Sequence, residues 1–258
     1  MPHNTPSEKP GYTPFAGFSC DVGAYSSRGS RGRNEDSFFI EPGLLCVSDG
    51  IGGAPHGDVM SKVCCGAFCE AIREPASEGL RLGDWLLDRV LKADSLVTKV
   101  GNYLGGGPGA TLVAAVALGE KVAFISVGDS AVFVYADGKL SSVFESVGRE
   151  PGKANTLSAA MGYGMLCSKP EEVRIKILDS VPGETILACT DGVWSQLSLS
   201  QIASELSSAR EAYRNAKNIV ELAVESCANG SDNATAAVMV LEDAKAPNSN
   251  TPVSTALE

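Results

Sequence analysis

Histidine is almost absent from this chain: two residues in 258, His3 and His56. Its eight cysteines contain no Cys-x-x-Cys pair. So few imidazoles and no paired thiols exclude a structural zinc site of the usual tetrahedral kind. A long apolar run is missing too. The longest, Leu112 to Leu118, is far too short to span a bilayer. No apolar segment follows Met1, where residues 1–14 are polar and Pro-rich, so a secretory signal is not expected. Positive charge is in deficit, with 21 Lys+Arg against 31 Asp+Glu and a formal net charge of −10. Such a surface repels nucleic acid and anionic membranes, which excludes both as expected partners.

What is present is ordinary globular material, 44% hydrophobic and 20% charged. Residues 1–14 and 244–258, rich in Pro, Asn, Ser and Thr, read as disordered tails around one domain, 15–243. Cys46 and Cys189 fall inside apolar strands and Cys64 on an apolar helical stripe. They read as buried thiols in a reducing, cytoplasmic setting.

Strands are expected at 15–24, 37–40 and 44–48, then a helix at 57–74 whose apolar positions Met60, Cys64, Ala67, Phe68, Ala71 and Ile72 form one stripe. A second helix is expected at 82–104. Four short strands follow at 110–118, 121–127, 131–136 and 139–144, punctuated by Gly119-Glu120 and Asp137-Gly138 as two-residue hairpin turns. The spacing reads as consecutive hairpins. After an irregular stretch, 148–167, strands are expected at 173–178 and 185–190, helices at 200–208 and 212–228, and a last strand at 235–241. One-sided helices with grouped antiparallel strands imply an α+β sandwich with helices outside.

The chemistry-bearing feature is aspartate at strand ends in Gly- or Asn-flanked turns: Asn34-Glu35-Asp36, Ser48-Asp49-Gly50, Thr190-Asp191-Gly192 and Ser231-Asp232-Asn233. A carboxylate there destabilises the fold unless a cation answers it, and its recurrence suggests a shared ion. Each turn taken alone reads first as an Asx turn or cap, and only the recurrence turns the reading toward a metal centre. Adjacent Glu35 and Asp36 face opposite ways in a strand, so at most one points directly into a common site. Arg28, Arg31 and Arg33 run into the first turn, where a guanidinium can fork onto two phosphate oxygens. No Gly-Lys-Ser/Thr follows Gly52-Gly53, which excludes a P-loop, and Gly105 to Gly109 precedes a strand and reads as a connector. His56 stands just before the first helix, as a structural residue or a proton donor.

Together these segments resemble the metal-dependent, type 2C serine/threonine protein phosphatases in their compact bacterial form. The resemblance runs from about Phe18 to Leu241. It rests on Arg31-Gly-Arg-Asn-Glu-Asp36-Ser, Val47-Ser-Asp-Gly-Ile-Gly-Gly53 with Gly57 and Ser61, Gly109-Ala-Thr-Leu112, Val127-Gly-Asp-Ser130, Asn155-Thr-Leu-Ser-Ala-Ala-Met-Gly162, Thr190-Asp-Gly-Val-Trp194 and Ser231-Asp-Asn233. It implies a four-layer α-β-β-α sandwich of two antiparallel sheets flanked by helices, and a cleft holding two Mn²⁺ or Mg²⁺ ions. Asp49 would bridge both ions, the Gly50 carbonyl would bind the first, and Asp191 and Asp232 the second. Glu35 and Asp36 match acids that hold ion-bound waters or complete the shell, and Arg31 the phosphate-binding arginine. The implied reaction is hydrolysis of phosphoserine and phosphothreonine on proteins by a metal-activated water, opposing a Ser/Thr kinase, in a monomer.

The chain departs from the family pattern at several positions. Ser195 replaces an aspartate, Glu145 to Arg149 stands where Asp-His is usual, Ile51 aligns with a histidine of animal members, and Ala131 replaces an arginine. The first two imply that a third ion is poorly bound or ligated differently. They motivate the alternative of a catalytically weak pseudophosphatase acting as a binding module. A two-metal nuclease is a further rival, disfavoured by the net charge.

Overall fold

The computed structural model describes residues 17–51, 56–75, 80–106, 109–144, 157, 159–208, 211–228 and 230–243. Both expected tails lie outside the described residues, as does the stretch 145–156. In chain order the elements are β1 (Ser19–Ser27), β2 (Asp36–Glu41), β3 (Leu44–Asp49), α1 (Gly57–Arg73), α2 (Leu82–Tyr103), β4 (Leu112–Leu118), β5 (Lys121–Val127), β6 (Ala131–Ala136) and β7 (Lys139–Ser142). They continue as β8 (Arg174–Asp179), β9 (Thr185–Cys189), α3 (Asp191–Trp194), α4 (Leu199–Ser208), α5 (Ala212–Glu225) and β10 (Ala234–Glu242).

Two five-stranded antiparallel sheets result, ordered β1-β10-β9-β6-β7 and β2-β3-β4-β5-β8. The alternation of side chains along β4 shows why they stack. Leu112, Ala114 and Val116 join Met60, Phe68 and Trp85 in the layer under α1 and α2. Val113 and Ala115 join Phe124, Ile186, Val47 and Met239 between the sheets. A strand buried on both faces reads as a continuous apolar run, which is what Leu112 to Leu118 is. A third layer, with Ile202, Ile219, Val220 and Val238, packs α4 and α5 on the outer face of the other sheet. The order is therefore α-β-β-α.

The expected run of consecutive hairpins needs correction. β4–β5 and β6–β7 are hairpins, with Leu118 opposite Lys121 and Ala136 opposite Lys139. β5 and β6, however, belong to different sheets. The chain crosses between them at Gly128-Asp129-Ser130, where Gly128 takes φ 91° and a Cβ would meet Thr111 Cγ2 at 2.8 Å. Only glycine allows that turn so close to β4. A one-turn helix, α3, also stands where the sequence suggested only a turn. The first strand reaches Ser27, later than expected, because Tyr25, Ser26 and Ser27 pair in register with Ala236, Thr235 and Ala234. Its polar end is thereby held against the start of β10.

Candidate active site

The cavity of interest, ≈ 480 Å³, opens where the ends of the two sheets meet. Five acids line it: Glu35, Asp49, Asp129, Asp191 and Asp232. Arg31 and Arg33 stand at the same cavity, together with Gly50 and Ile51. Each acid arrives on an element terminus: β3 ends at Asp49, α3 begins at Asp191, and Asp232 lies just before β10.

Asp49 is fixed through its backbone. Its N–H donates to Thr111 Oγ1 at 2.9 Å and its carbonyl accepts from Thr111 N at 2.8 Å. Thr111 Oγ1 lies 2.7 Å from Ser130 Oγ, which ties β3 and β4 to the crossover carrying Asp129. Gly50 must be glycine: a Cβ there would meet Gly57 O at 2.3 Å, where α1 starts.

Asp36 and Asp49 are direct cross-strand partners at the end of β2–β3. Residues opposite each other in an antiparallel pair point to one face, with Cβ atoms about 5 Å apart. Asp36 is buried beneath, outside the cavity lining, and Oδ2 accepts from Thr190 Oγ1 at 2.9 Å. Oδ1 is buried and finds no donor. Burial pushes the Asp36 carboxyl up to about 7, against the pull of the nearby Thr235 hydroxyl and the Thr190 hydrogen bond, and the Asp191 charge adds to the rise. Burial likewise holds Asp49 well above the usual carboxylate range, reinforced by the charges of Asp36 and Asp191. Two facing carboxylates can share a hydrogen bond only when one keeps its proton. The orphan oxygen is therefore answered either by a proton between Asp36 and Asp49 or by a cation.

Glu35 faces the other way along the strand, toward the cavity and the start of α1, and a Cβ on Gly57 would meet its carboxyl carbon at 3.0 Å. Asn233 brackets the arginine loop. Nδ2 donates to the carbonyls of Arg28 (2.9 Å) and Arg33 (2.8 Å), and Oδ1 accepts from Glu35 N at 2.8 Å. Gly192 gives it room, since a Cβ there would meet Asn233 O at 1.9 Å. Held this way, Arg31 donates through Nη2 to Asp232 Oδ2 at 2.7 Å.

Among the described residues, no three His, Cys, Asp or Glu side chains close into a ready-made metal cage. The acids instead stand around an open cavity, as like charges do, with Asp232 drawn toward Arg31. Their chemistry nonetheless fits hard divalent cations, which prefer carboxylate and carbonyl oxygens. The unpartnered Asp36 oxygen and the raised Asp49 both register a site short of positive charge.

Of the residues singled out from the sequence, Arg28 and Asp36 lie outside the cavity lining. His56 caps α1 in a left-handed conformation, φ 69°, exposed and outside that lining. Ser195 donates through Oγ to the Asp191 carbonyl. Ala131 is a buried residue opening β6. Glu145 to Arg149 lies outside the described residues. Asp129 was missed as a site residue, although Val127-Gly-Asp-Ser130 repeats the strand-end pattern. Trp194 Nε1 donates to its carbonyl at 3.0 Å, and Arg174 Nη2 to the carbonyl of Gly128 at 2.6 Å.

Comparison with known proteins identifies the family. The family model described as protein phosphatase 2C matches residues 25–226. The serine/threonine protein phosphatase PstP of Mycobacterium tuberculosis is 24% identical over 245 residues, covering 85% of this chain and 45% of that protein. The chain thus spans about half the length of the curated relatives it matches. The solved catalytic domain of PstP in complex with two manganese ions is 25% identical with a TM-score of 0.74, covering 88% of this chain and 100% of that one. PppA, described as a key regulatory component of T6SS in Pseudomonas aeruginosa, is 25% identical with a TM-score of 0.72, covering 86% and 98%.

Proposed function

The chain belongs to the protein phosphatase 2C family, and on that premise we propose that it hydrolyses phosphoserine and phosphothreonine esters on proteins, with residues 15–243 as the catalytic domain. The observation that carries this reading is the convergence of Asp49, Asp191 and Asp232 on one cavity with Arg31. We assign Asp49, the Gly50 carbonyl, Asp191 and Asp232 as holders of two Mn²⁺ or Mg²⁺ ions. The pair of manganese ions in the PstP catalytic domain supports that assignment. When bound, such ions make water a nucleophile near neutral pH and neutralise charge on phosphoryl oxygens.

The chain's own residues do the rest. Arg31 presents its guanidinium fork to two phosphoryl oxygens and leaves Asp232 to do so. The pair is exposed and therefore weak, so this exchange is cheap. Asp36 acts from beneath: burial raises the facing Asp36–Asp49 pair, so the pair would hold a proton in the absence of a cation and an ion held by Asp49 would supply the missing positive charge. The Thr111 bonds hold Asp49 in its aim throughout. Ile51 at the cavity offers no proton, and His56 stands outside the lining, so solvent water protonates the departing serine or threonine oxygen.

The partner is a phosphoprotein made by a Ser/Thr kinase. All eight cysteines are free, which supports a reducing, cytoplasmic setting; among the described residues no helix is long and apolar enough to cross a membrane. The pseudophosphatase alternative finds no support: the assigned acids are all present, and Asp129 adds another.

The test is release of phosphate from a phosphothreonine peptide with Mn²⁺, before and after chelation, by the wild type and Asp191→Asn. Activity in the wild type that the chelator and the substitution each abolish is expected. Activity surviving both removes the mechanism.

A further inference from the structure

A second concavity, ≈ 400 Å³, lies against the first and shares two of its lining residues, Arg31 and Asp232. The rest of its wall is polar or small: Gln196 on one side and Ser226, Cys227 and Ala228 at the end of α5 on the other. Its position relative to the cavity is fixed by the turns that carry the acids. Ser195 donates to the Asp191 carbonyl through both N (3.0 Å) and Oγ (2.5 Å), and Gln196 Nε2 donates to Ser195 Oγ at 3.0 Å. Opposite, Ser226 Oγ donates to the Leu222 carbonyl at 2.7 Å and Cys227 Sγ to the Ala223 carbonyl at 3.4 Å. These bonds orient the side chains and leave capacity over. The Gln196 amide keeps a second N–H and its carbonyl oxygen, and the Ser226 hydroxyl keeps its lone pairs.

A phosphorylated residue reaching Arg31 carries polypeptide on either side, and the two concavities adjoin at Arg31 and Asp232. An extended chain advances about 3.3 Å per residue, so a residue two or three positions from the phosphorylated one reaches the second concavity. With no side chain larger than Cys on its apolar part, that wall gives a bulky aliphatic group nothing to pack against. Its amide and hydroxyl groups match main chain and small polar side chains instead. We propose that this groove seats the polypeptide flanking the phosphorylated residue and prefers a hydrogen-bonding side chain there. The proposal rests on the protein-phosphatase reading above.

The experiment compares kcat/KM on a phosphothreonine peptide with that on p-nitrophenyl phosphate, which is too small to reach the groove. Gln196→Ala removes one anchor from an exposed position. Ala228→Trp fills the groove from another. The peptide-to-aryl ratio is expected to fall about three- to tenfold in Gln196→Ala, the worth of one net hydrogen bond. In Ala228→Trp a fall on the order of tenfold or more is expected, carried by peptide KM. An unchanged ratio in both variants, or equal loss on both substrates, overturns the groove. A wild type that cleaves the aryl ester but no phosphopeptide removes the protein-substrate reading, and the groove falls with it. A wild type that cleaves neither removes the phosphatase reading itself, and the groove with it.

Discussion

Stripped of divalent cations, the protein should become less stable as pH rises from about 4 to about 7, opposite to the usual acid-denaturation slope. The Asp36 carboxyl sits at about 7 in the folded chain against an ordinary value of 3.8, chiefly because burial disfavours its charge. Below both values the two states are equally protonated and Asp36 contributes no slope. Between them the unfolded chain ionises while the folded one retains its proton. The folded state thus binds more protons, and unfolding free energy falls with pH. Above about 7 the loss is complete. At 1.36 kcal/mol per pH unit the full span amounts to about 4 kcal/mol. For a domain of this size each kcal/mol moves Tm by about 2–4 °C, so a drop of about 8 °C or more is expected between pH 4.5 and 8. Asp36→Asn removes the titration yet keeps an oxygen for Thr190 and gains an amide donor toward Asp49. The chelated variant should therefore melt above the chelated wild type at pH 8 and match it near pH 4. Saturating Mn²⁺ should narrow the gap at pH 8, since 100-fold excess over Kd adds about 2.7 kcal/mol to the form that binds it. Scanning calorimetry of both proteins, with chelator and with Mn²⁺, reads all of this. A chelated wild type whose Tm climbs steadily from pH 5 to 8, or an Asp36→Asn that melts lower at pH 8, would refute the shared-proton account.

Three further outcomes follow from the same geometry. Arg31→Ala gives up only an exposed pair worth about 0–1 kcal/mol of stability, so its melting point should stay near wild type while kcat/KM on a phosphopeptide falls about 10²- to 10³-fold. Parallel melts and initial rates separate the two effects. Gly192→Ala drives a methyl into the Asn233 carbonyl, where a Cβ finds 1.9 Å. Displacing Asn233 releases three hydrogen bonds to the arginine loop, so a loss of about 2 kcal/mol or more by urea titration is expected, with Mn²⁺ affinity reduced in calorimetry. Phe124→Ala empties a fully buried ring site between the sheets and should lower unfolding free energy by about 3–5 kcal/mol, with Mn²⁺ affinity per folded molecule unchanged.

The sequence was most legible where one local rule decided the outcome. Amphipathic spacing located α1 to within a residue of its end, and the two hairpins followed from Gly119-Glu120 and Asp137-Gly138 because a two-residue turn leaves antiparallel pairing as the only exit. Reading failed where the choice was between sheets rather than between conformations. Nothing local to Gly128-Asp129-Ser130 distinguishes a turn back into the same sheet from a step across to the other. What decides it is burial of both faces of β5 and β6, a property of the assembled layers. The Val127-Gly-Asp-Ser130 motif carries part of the family resemblance, yet nothing local to it assigns its aspartate, which follows a strand beside glycine like the other acids, to the site.

The same reasoning explains Glu35 and Asp36. Alternation along a strand requires one of the two to point toward the cavity and the other away, but parity alone cannot say which. Register does not say either, since it sets Asp36 on the same face as Asp49. Depth decides: Thr190 from the other sheet closes over Asp36, so it lies under the floor while Glu35 reaches the cavity. An acid placed there cannot be a mere cap, for an exposed cap would keep water and an ordinary titration. Burying two facing carboxylates destabilises the empty protein, and such an arrangement persists in a fold only if something bound returns the stability. The facing Asp36 and Asp49 carboxylates thus call for a shared proton or a cation, and the pH and Mn²⁺ melts distinguish the two.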